Sequence, residues 1–224
     1  MLVFCQGNES IKSINLGMKP ESGDAILAAA GNGDQAFSLA EKAGRVVLVD
    51  NDPAQLEYAR SRYEALRAGD FDGFLSNSSG TNRRYFRRFS RLNRIRRNLE
   101  RIEFLEPSDI FDNLADFPKV YMSNILGFGV YDTAGDFSGT YSERMDRLAG
   151  LTSGGTVVYV TDYGNRFMDY PVRGFRGQIK YLPDRFLPQP WTICEDGAFA
   201  LDISASRMAR LYENLWLPAV LVRR

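Results

Sequence analysis

The sequence contains no histidine. That absence excludes Ser-His-Asp and Cys-His catalysis, imidazole general bases and most zinc chemistry. Its only cysteines, Cys5 and Cys194, are too few for a disulfide framework and lack metal-ligand spacing. No metal is therefore expected. Net charge is missing too: Lys+Arg and Asp+Glu are both 28, so nothing advertises an affinity for nucleic acid or an anionic membrane. No apolar run approaches about 18 residues, and no membrane-spanning segment is expected. The opening Met1-Leu2-Val3-Phe4-Cys5 turns polar at Gln6, too early for a secretory signal, so the expected location is the cytoplasm. Lysine is scarce as well, with 5 against 23 arginines.

What is present reads as one folded domain over residues 1–224, with 44% hydrophobic and 25% charged residues. Strand and helix patterns alternate. Ala25–Ala30 is a short apolar run ended by Gly31-Asn32-Gly33, followed by a helical stretch from Asp34 to about Ala43. Arg45–Asp50 is a β-branched run of buried-strand type. Asp52-Pro53 opens the next helix, and Leu56, Ala59, Tyr63 and Leu66 recur on one face of it. Ile102–Leu105, Lys119–Asn124 and Thr156–Thr161 read as further strands. Phe199–Ile203 and Trp216–Val222 are two more, in an order the sequence leaves open, with a helix over Ser206–Asn214 between them. Parallel strands need crossovers, and crossovers are right-handed, so the expected fold is α/β: a three-layer, doubly wound, mostly parallel sheet.

Residues 68–101 interrupt this alternation. A Gly/Ser/Asn-rich loop, Gly69–Asn82, leads into a predicted helix with nine arginines between Arg83 and Arg101. Tyr85, Phe86, Phe89, Leu92, Ile95 and Leu99 give it an apolar face. Such a helix is either a phosphate or nucleic-acid contact or an amphipathic helix with a solvated basic face. The neutral total charge favours the second reading, and the segment is expected to be a lid or surface feature beside a ligand crevice. Nucleic acid is not the expected partner.

Open α/β sheets bind ligands outside the carboxyl ends of their strands, and candidate residues gather there. The turn Ala30-Gly31-Asn32-Gly33-Asp34-Gln35 lets backbone approach a ligand. It is neither a P-loop nor a full GxGxxG. Asp50, 19 positions after Gly31, ends the second strand, where an acid can accept both ribose hydroxyls of an adenosine. Asn51 follows it, and Asp52 is assigned to the helix cap. In Glu106-Pro107-Ser108-Asp109-Ile110, Asp109 can accept from an adenine amino group while the next N–H donates to the ring; a helix cap is the competing role. Tyr121-Met122-Ser123-Asn124 closes the fourth strand with Ser123 and Asn124 directed at the same crevice. Leu151–Tyr159 reads as helix end, Gly-Gly turn and buried strand.

This order of features resembles the class I S-adenosylmethionine-dependent transferase pattern, a methyltransferase-like Rossmann fold. A closer resemblance lies in residues 24–37 (DAILAAAGNGDQAF), 45–58 (RVVLVDNDPAQLEY) and 64–75 (EALRAGDFDGFL). These resemble the betaine-lipid synthase A family, S-adenosylmethionine:diacylglycerol 3-amino-3-carboxypropyl transferases. Tyr121–Leu126 (YMSNIL) is similar to its fourth-strand motif, and Gln6–Ser10 (QGNES) loosely resembles its opening segment. The resemblance implies S-adenosylmethionine as co-substrate and the aminocarboxypropyl group as cargo. Lipid-acting members are much longer than this chain, so the acceptor is left open between a small and a lipid-like molecule.

Attack on a sulfonium carbon needs in-line placement at about 3–3.5 Å, and the leaving sulfur needs no proton. A chain without histidine suits that chemistry. The remaining task, removing one proton from the acceptor, suits acids and phenols. Tyr131 and Asp132, in the loop Gly127–Tyr141 that also holds Asp136 and Tyr141, are the first catalytic candidates. Asp162 and Tyr163 after the fifth strand are the second pair. Asn32, Gly33, Asp34 and Gln35 are expected around the methionyl part, its carboxylate facing the helix N-terminus. Methyl transfer is the alternative reaction, and a non-catalytic RNA- or phosphate-binding protein on the same fold the alternative class.

Overall fold

The computed structural model describes residues 9–76, 78, 80–126, 137–163, 198–213 and 216–224. Seven strands form one sheet: β1 (Ala25–Ala29), β2 (Arg45–Val49), β3 (Ile102–Phe104), β4 (Lys119–Ser123), β5 (Val157–Tyr163), β6 (Phe199–Leu201) and β7 (Trp216–Arg223). Their order is β3-β2-β1-β4-β5-β7-β6. The first five pair in parallel, and β7 runs antiparallel between β5 and β6. The expected mostly parallel α/β sheet is what the chain forms, and the open order of the last two strands is resolved.

The central strands are apolar on both faces because both are covered. Ile26, Ala28, Val46 and Leu48 pack into one core; Leu27, Val47, Val49 and Val120 pack into the other. The first core is closed by α1 (Ile11–Met18), α2 (Asp34–Leu39) and α3 (Pro53–Ala68), which contribute Ile14, Phe37 and Leu56 among others. The second is closed by a 3₁₀ segment, Ile110–Asp116, through Phe111 and Leu114, and by Met145 and Leu148 further along the chain. At the start of α3, Asp52 accepts from the Ala54 N–H at 2.9 Å and Pro53 occupies the first turn, as the sequence predicts. Helix α1 is not evident from the sequence pattern. Ser10 caps it, accepting from the Ser13 N–H at 3.3 Å.

The insertion differs from the single arginine helix expected. The predicted loop contains α4 (Phe71–Ser76), and the rest divides into α5 (Gly80–Phe86), α6 (Phe89–Arg97) and a 3₁₀ turn, Leu99–Arg101. Arg88 is extended (φ −77°, ψ 111°) and breaks the run. The break re-aims α6, so Leu92 and Ile95 are buried while Phe89 stays exposed and meets the Phe71 ring edge-on. Several arginines point back into the domain: Arg91 and Arg94 pair with Glu41, and Arg101 donates to the Ala43 carbonyl.

Helix α7 (Phe137–Leu151) precedes β5, and Gly155 (φ 86°) makes the turn between them. Helix α8 (Ile203–Arg210) begins and ends earlier than predicted, because Asp202 caps it by accepting from the Ala205 N–H at 2.8 Å. Among the described residues, no helix is long and apolar enough to cross a membrane.

Candidate functional site

The sheet reverses its winding between β1 and β4, and a crevice opens beyond the carboxyl ends of such neighbours. A cavity of about 390 Å³ lies there. Of the predicted binding residues, Gly31, Asn32, Gln35, Asp50, Asn51, Asp109, Ile110, Ser123 and Asn124 line it. Ala30, Gly33 and Asp34 do not.

The turn after β1 owes its shape to two left-handed glycines, Gly31 (φ 47°) and Gly33 (φ 85°). A Cβ on Gly31 would meet nothing within 4 Å, so that side of the turn is open to a ligand. On Gly33 it would come within 2.7 Å of the Phe37 ring. Gln55 from α3 reaches back and donates to the Gly31 carbonyl at 2.5 Å. Asp34 is turned away from the cavity and fully buried against Arg62 at 2.8 Å, with Asn32, Ser78 and Asn82 also donating to it. The following α2 has only six residues and already carries this acid in its first turn. Asp34 therefore already sits at the helix N-terminus where a ligand carboxylate is expected.

Asp50 sits at the end of β2, half-buried, and accepts from the Asp52 N–H at 3.1 Å. Burial pushes its pKa up, against the lowering effect of backbone donors from Asp52, Gly31 and Asn51. Asp109 has one oxygen committed as a cap, accepting from the Phe111 N–H at 3.0 Å. Its other oxygen pairs with Arg147 at 3.3 Å, and Arg147 also reaches Asp112 at 2.7 Å. The capping alternative is thus physically present, beside a cavity-facing position.

Strand β4 ends irregularly, which is how its polar groups reach the cavity. Its register with β5 shifts between Tyr121 and Ser123, and Ser123 takes a left-handed backbone (φ 55°), a conformation that costs free energy in a non-glycine residue. Ser123 Oγ then donates to Glu9. Tyr121 Oη donates to the same carboxylate at 2.7 Å, and Thr161 Oγ1 from β5 at 3.2 Å. Glu9 is only 3% exposed yet lines the cavity, and burial raises its pKa while the three hydroxyls lower it.

Sequence reasoning missed Glu9, Arg144, Arg147 and Trp216 as cavity residues. The QGNES stretch held the one available hint for Glu9. Of the catalytic candidates, Tyr131 and Asp132 lie outside the described residues, as does Asp136. Asp162 and Tyr163 stand at the carboxyl end of β5, in register with Leu217 and Trp216. Among the described residues, none of the arginine-rich insertion lines the cavity; the insertion packs behind the Gly31–Gly33 turn through Arg62, Ser78 and Asn82. Among the described residues, no three Cys, Asp or Glu side chains form a group able to hold a metal.

No family model and no curated protein sequence matches the chain. Solved structures do match it in fold. One is the N-methyltransferase NodS from Bradyrhizobium japonicum WM9 in complex with S-adenosyl-L-homocysteine: TM-score 0.51 and 11% identity, over 94% of this chain and 83% of that one. A second crystal structure of NodS gives a TM-score of 0.50 and 10% identity, over 94% and 92% of the two chains. The chain thus shares the methyltransferase-like Rossmann fold of these enzymes.

Proposed function

We propose that this protein is an S-adenosylmethionine-dependent transferase. One observation carries the reading: the open Gly31 turn, the Asp50 carboxylate and the Asp109-Ile110 segment, from three different strand ends, line a single cavity at the switch point of the sheet. In the proposed complex Asp50 accepts from the ribose hydroxyls. Asp109 and the Ile110 N–H face the adenine, and Asn32, Gln35, Ser123 and Asn124 surround the methionyl end. The similar fold of NodS, solved in complex with S-adenosyl-L-homocysteine, supports that choice of ligand.

The transferred group in this proposal is 3-amino-3-carboxypropyl, on the strength of the resemblance in residues 24–37, 45–58 and 64–75. The acceptor nucleophile attacks the γ-carbon, the carbon–sulfur bond breaks, and sulfur leaves with the electron pair as neutral methylthioadenosine. The acceptor gives its proton to a base, for which Asp162, Tyr163, Tyr131 and Asp132 remain the candidates. If the donor's own amine is the nucleophile, a four-membered cyclic amino acid forms with the same by-product. Methyl transfer is the second reading, supported by the N-methyltransferase named among the similar folds.

Incubating the protein with S-adenosylmethionine and candidate acceptors, then analysing the nucleoside product, tests this. Methylthioadenosine is expected. S-adenosylhomocysteine as the sole product overturns the aminocarboxypropyl assignment in favour of methyl transfer. Absence of calorimetric binding overturns the donor assignment itself.

A further inference from the structure

Glu9 is a buried carboxyl group to which the described fold supplies hydroxyls but no countercharge. Its three donors, Tyr121, Ser123 and Thr161, each direct a hydroxyl proton at the carboxylate. Three donors on one carboxyl group favour the ionised form, working against the burial that raises its pKa. No lysine or arginine among the described residues pairs with it, and the cavity's arginines are engaged elsewhere. Arg147 pairs with Asp109 and Asp112, and Arg144 donates to the Ile125 and Leu126 carbonyls. An ionised carboxylate taken out of water without a cation is costly unless something entering the cavity supplies one.

Its position says which part of a ligand would do so. Glu9 is held over the ends of β4 and β5, whereas Asp50 ends β2, on the other side of the central strand β1. The Ser10 N–H, donating to Glu213 at 2.6 Å, anchors the adjoining backbone to the segment after α8. With the neutral nucleoside half of a donor on Asp50, the half carrying positive charge extends toward Glu9. We infer that Glu9 is the anionic subsite for the cationic end of the bound donor, its sulfonium or α-ammonium group. This rests on the donor reading of the cavity. It makes Glu9 a binding and positioning group: the three hydroxyls take three of a carboxylate's roughly four acceptor positions and leave one for the ligand's cation.

The test is calorimetric titration of the full chain and of Glu9→Gln with S-adenosylmethionine, S-adenosylhomocysteine and methylthioadenosine. Failure of all three to bind the wild type defeats the donor reading, separately from the role of Glu9. If the wild type binds, Glu9→Gln is expected to weaken S-adenosylmethionine at least about tenfold, with neutral methylthioadenosine changed less than about twofold. S-adenosylhomocysteine identifies the cation: unchanged binding assigns the sulfonium, and a loss equal to that of S-adenosylmethionine assigns the ammonium. Equal losses for all three ligands, or none for any, overturn the inference. Glu9→Met, uncharged and of similar volume, carries the same expectations should the amide variant fail to fold, as judged by its melting curve.

Discussion

Arg62 and Asp34 form an ion pair at 2.8 Å with side chains 1% and 0% exposed, directly behind the turn that lines the cavity. The same guanidinium donates to the Asn32 carbonyl, to the Phe74 carbonyl and to Ser78 Oγ, so one side chain joins the glycine turn to the insertion. Breaking such a pair from one side strands a buried charge. Arg62→Met is therefore expected to cost about 3–5 kcal/mol in urea unfolding. The double variant with Asp34→Asn should recover part of that loss. Equal stability of wild type and Arg62→Met would contradict the arrangement.

Gly17 gives a prediction of reversed sign. Glycine to alanine inside a helix ordinarily stabilises by about 1 kcal/mol. Here a Cβ would lie 2.6 Å from the Tyr159 ring and 3.1 Å from Val220, in the packed layer between α1 and the sheet. Gly17→Ala is expected to destabilise by about 1–3 kcal/mol through overpacking. A raised melting temperature would refute it.

For Asp50 the pH dependence follows from the direction of its shift. Burial raises the carboxyl's pKa above its ordinary 3.8, so the folded chain holds that proton more tightly than the unfolded one. Its contribution is favourable below the ordinary value and is lost as pH rises through the raised one. Asp50→Asn should then melt higher than wild type at neutral pH, with the difference vanishing at acid pH. The same variant should bind S-adenosylmethionine at least about tenfold more weakly, because hydrogen bonds to a charged acceptor are the stronger ones. Unchanged affinity would remove the ribose assignment.

Glu41 fastens the insertion. It accepts from Tyr85 Oη at 2.7 Å and Arg94 at 2.9 Å, and Arg91 lies at 3.2 Å. Burial and the neighbouring carboxylate hold the Tyr85 hydroxyl well above the usual phenol range, so it remains a donor. Glu41→Gln should cost about 1.5–3 kcal/mol and speed amide exchange in α5 and α6. Unaltered exchange there would show that these contacts do not hold the insertion.

Local features of the sequence disclosed most of the frame. The apolar runs Ala25–Ala30 and Arg45–Asp50, the capping pair Asp52-Pro53 and the Gly31–Gly33 turn each act within a few residues, so their patterns are visible in one dimension. Helix α1 escaped because Ile11–Met18 is short and its partners Ser38, Tyr159 and Ala209 are far along the chain. The insertion kept an apparent helical period through Arg87 and Arg88, which hid the break at the extended Arg88.

The sequence by itself determined the alternation of strands and helices, the glycine turn, and the absence of imidazole chemistry. Only the tertiary structure decided that Asp34 serves Arg62 instead of the cavity, and that Glu9 enters it. Glu9 meets Tyr121, Ser123 and Thr161 across separations of 112, 114 and 152 residues. No periodicity records such meetings, because they depend on which strand ends the crossovers bring together. The missing histidine keeps its original meaning, while the arginine excess takes another: part of it is spent holding the insertion against the domain.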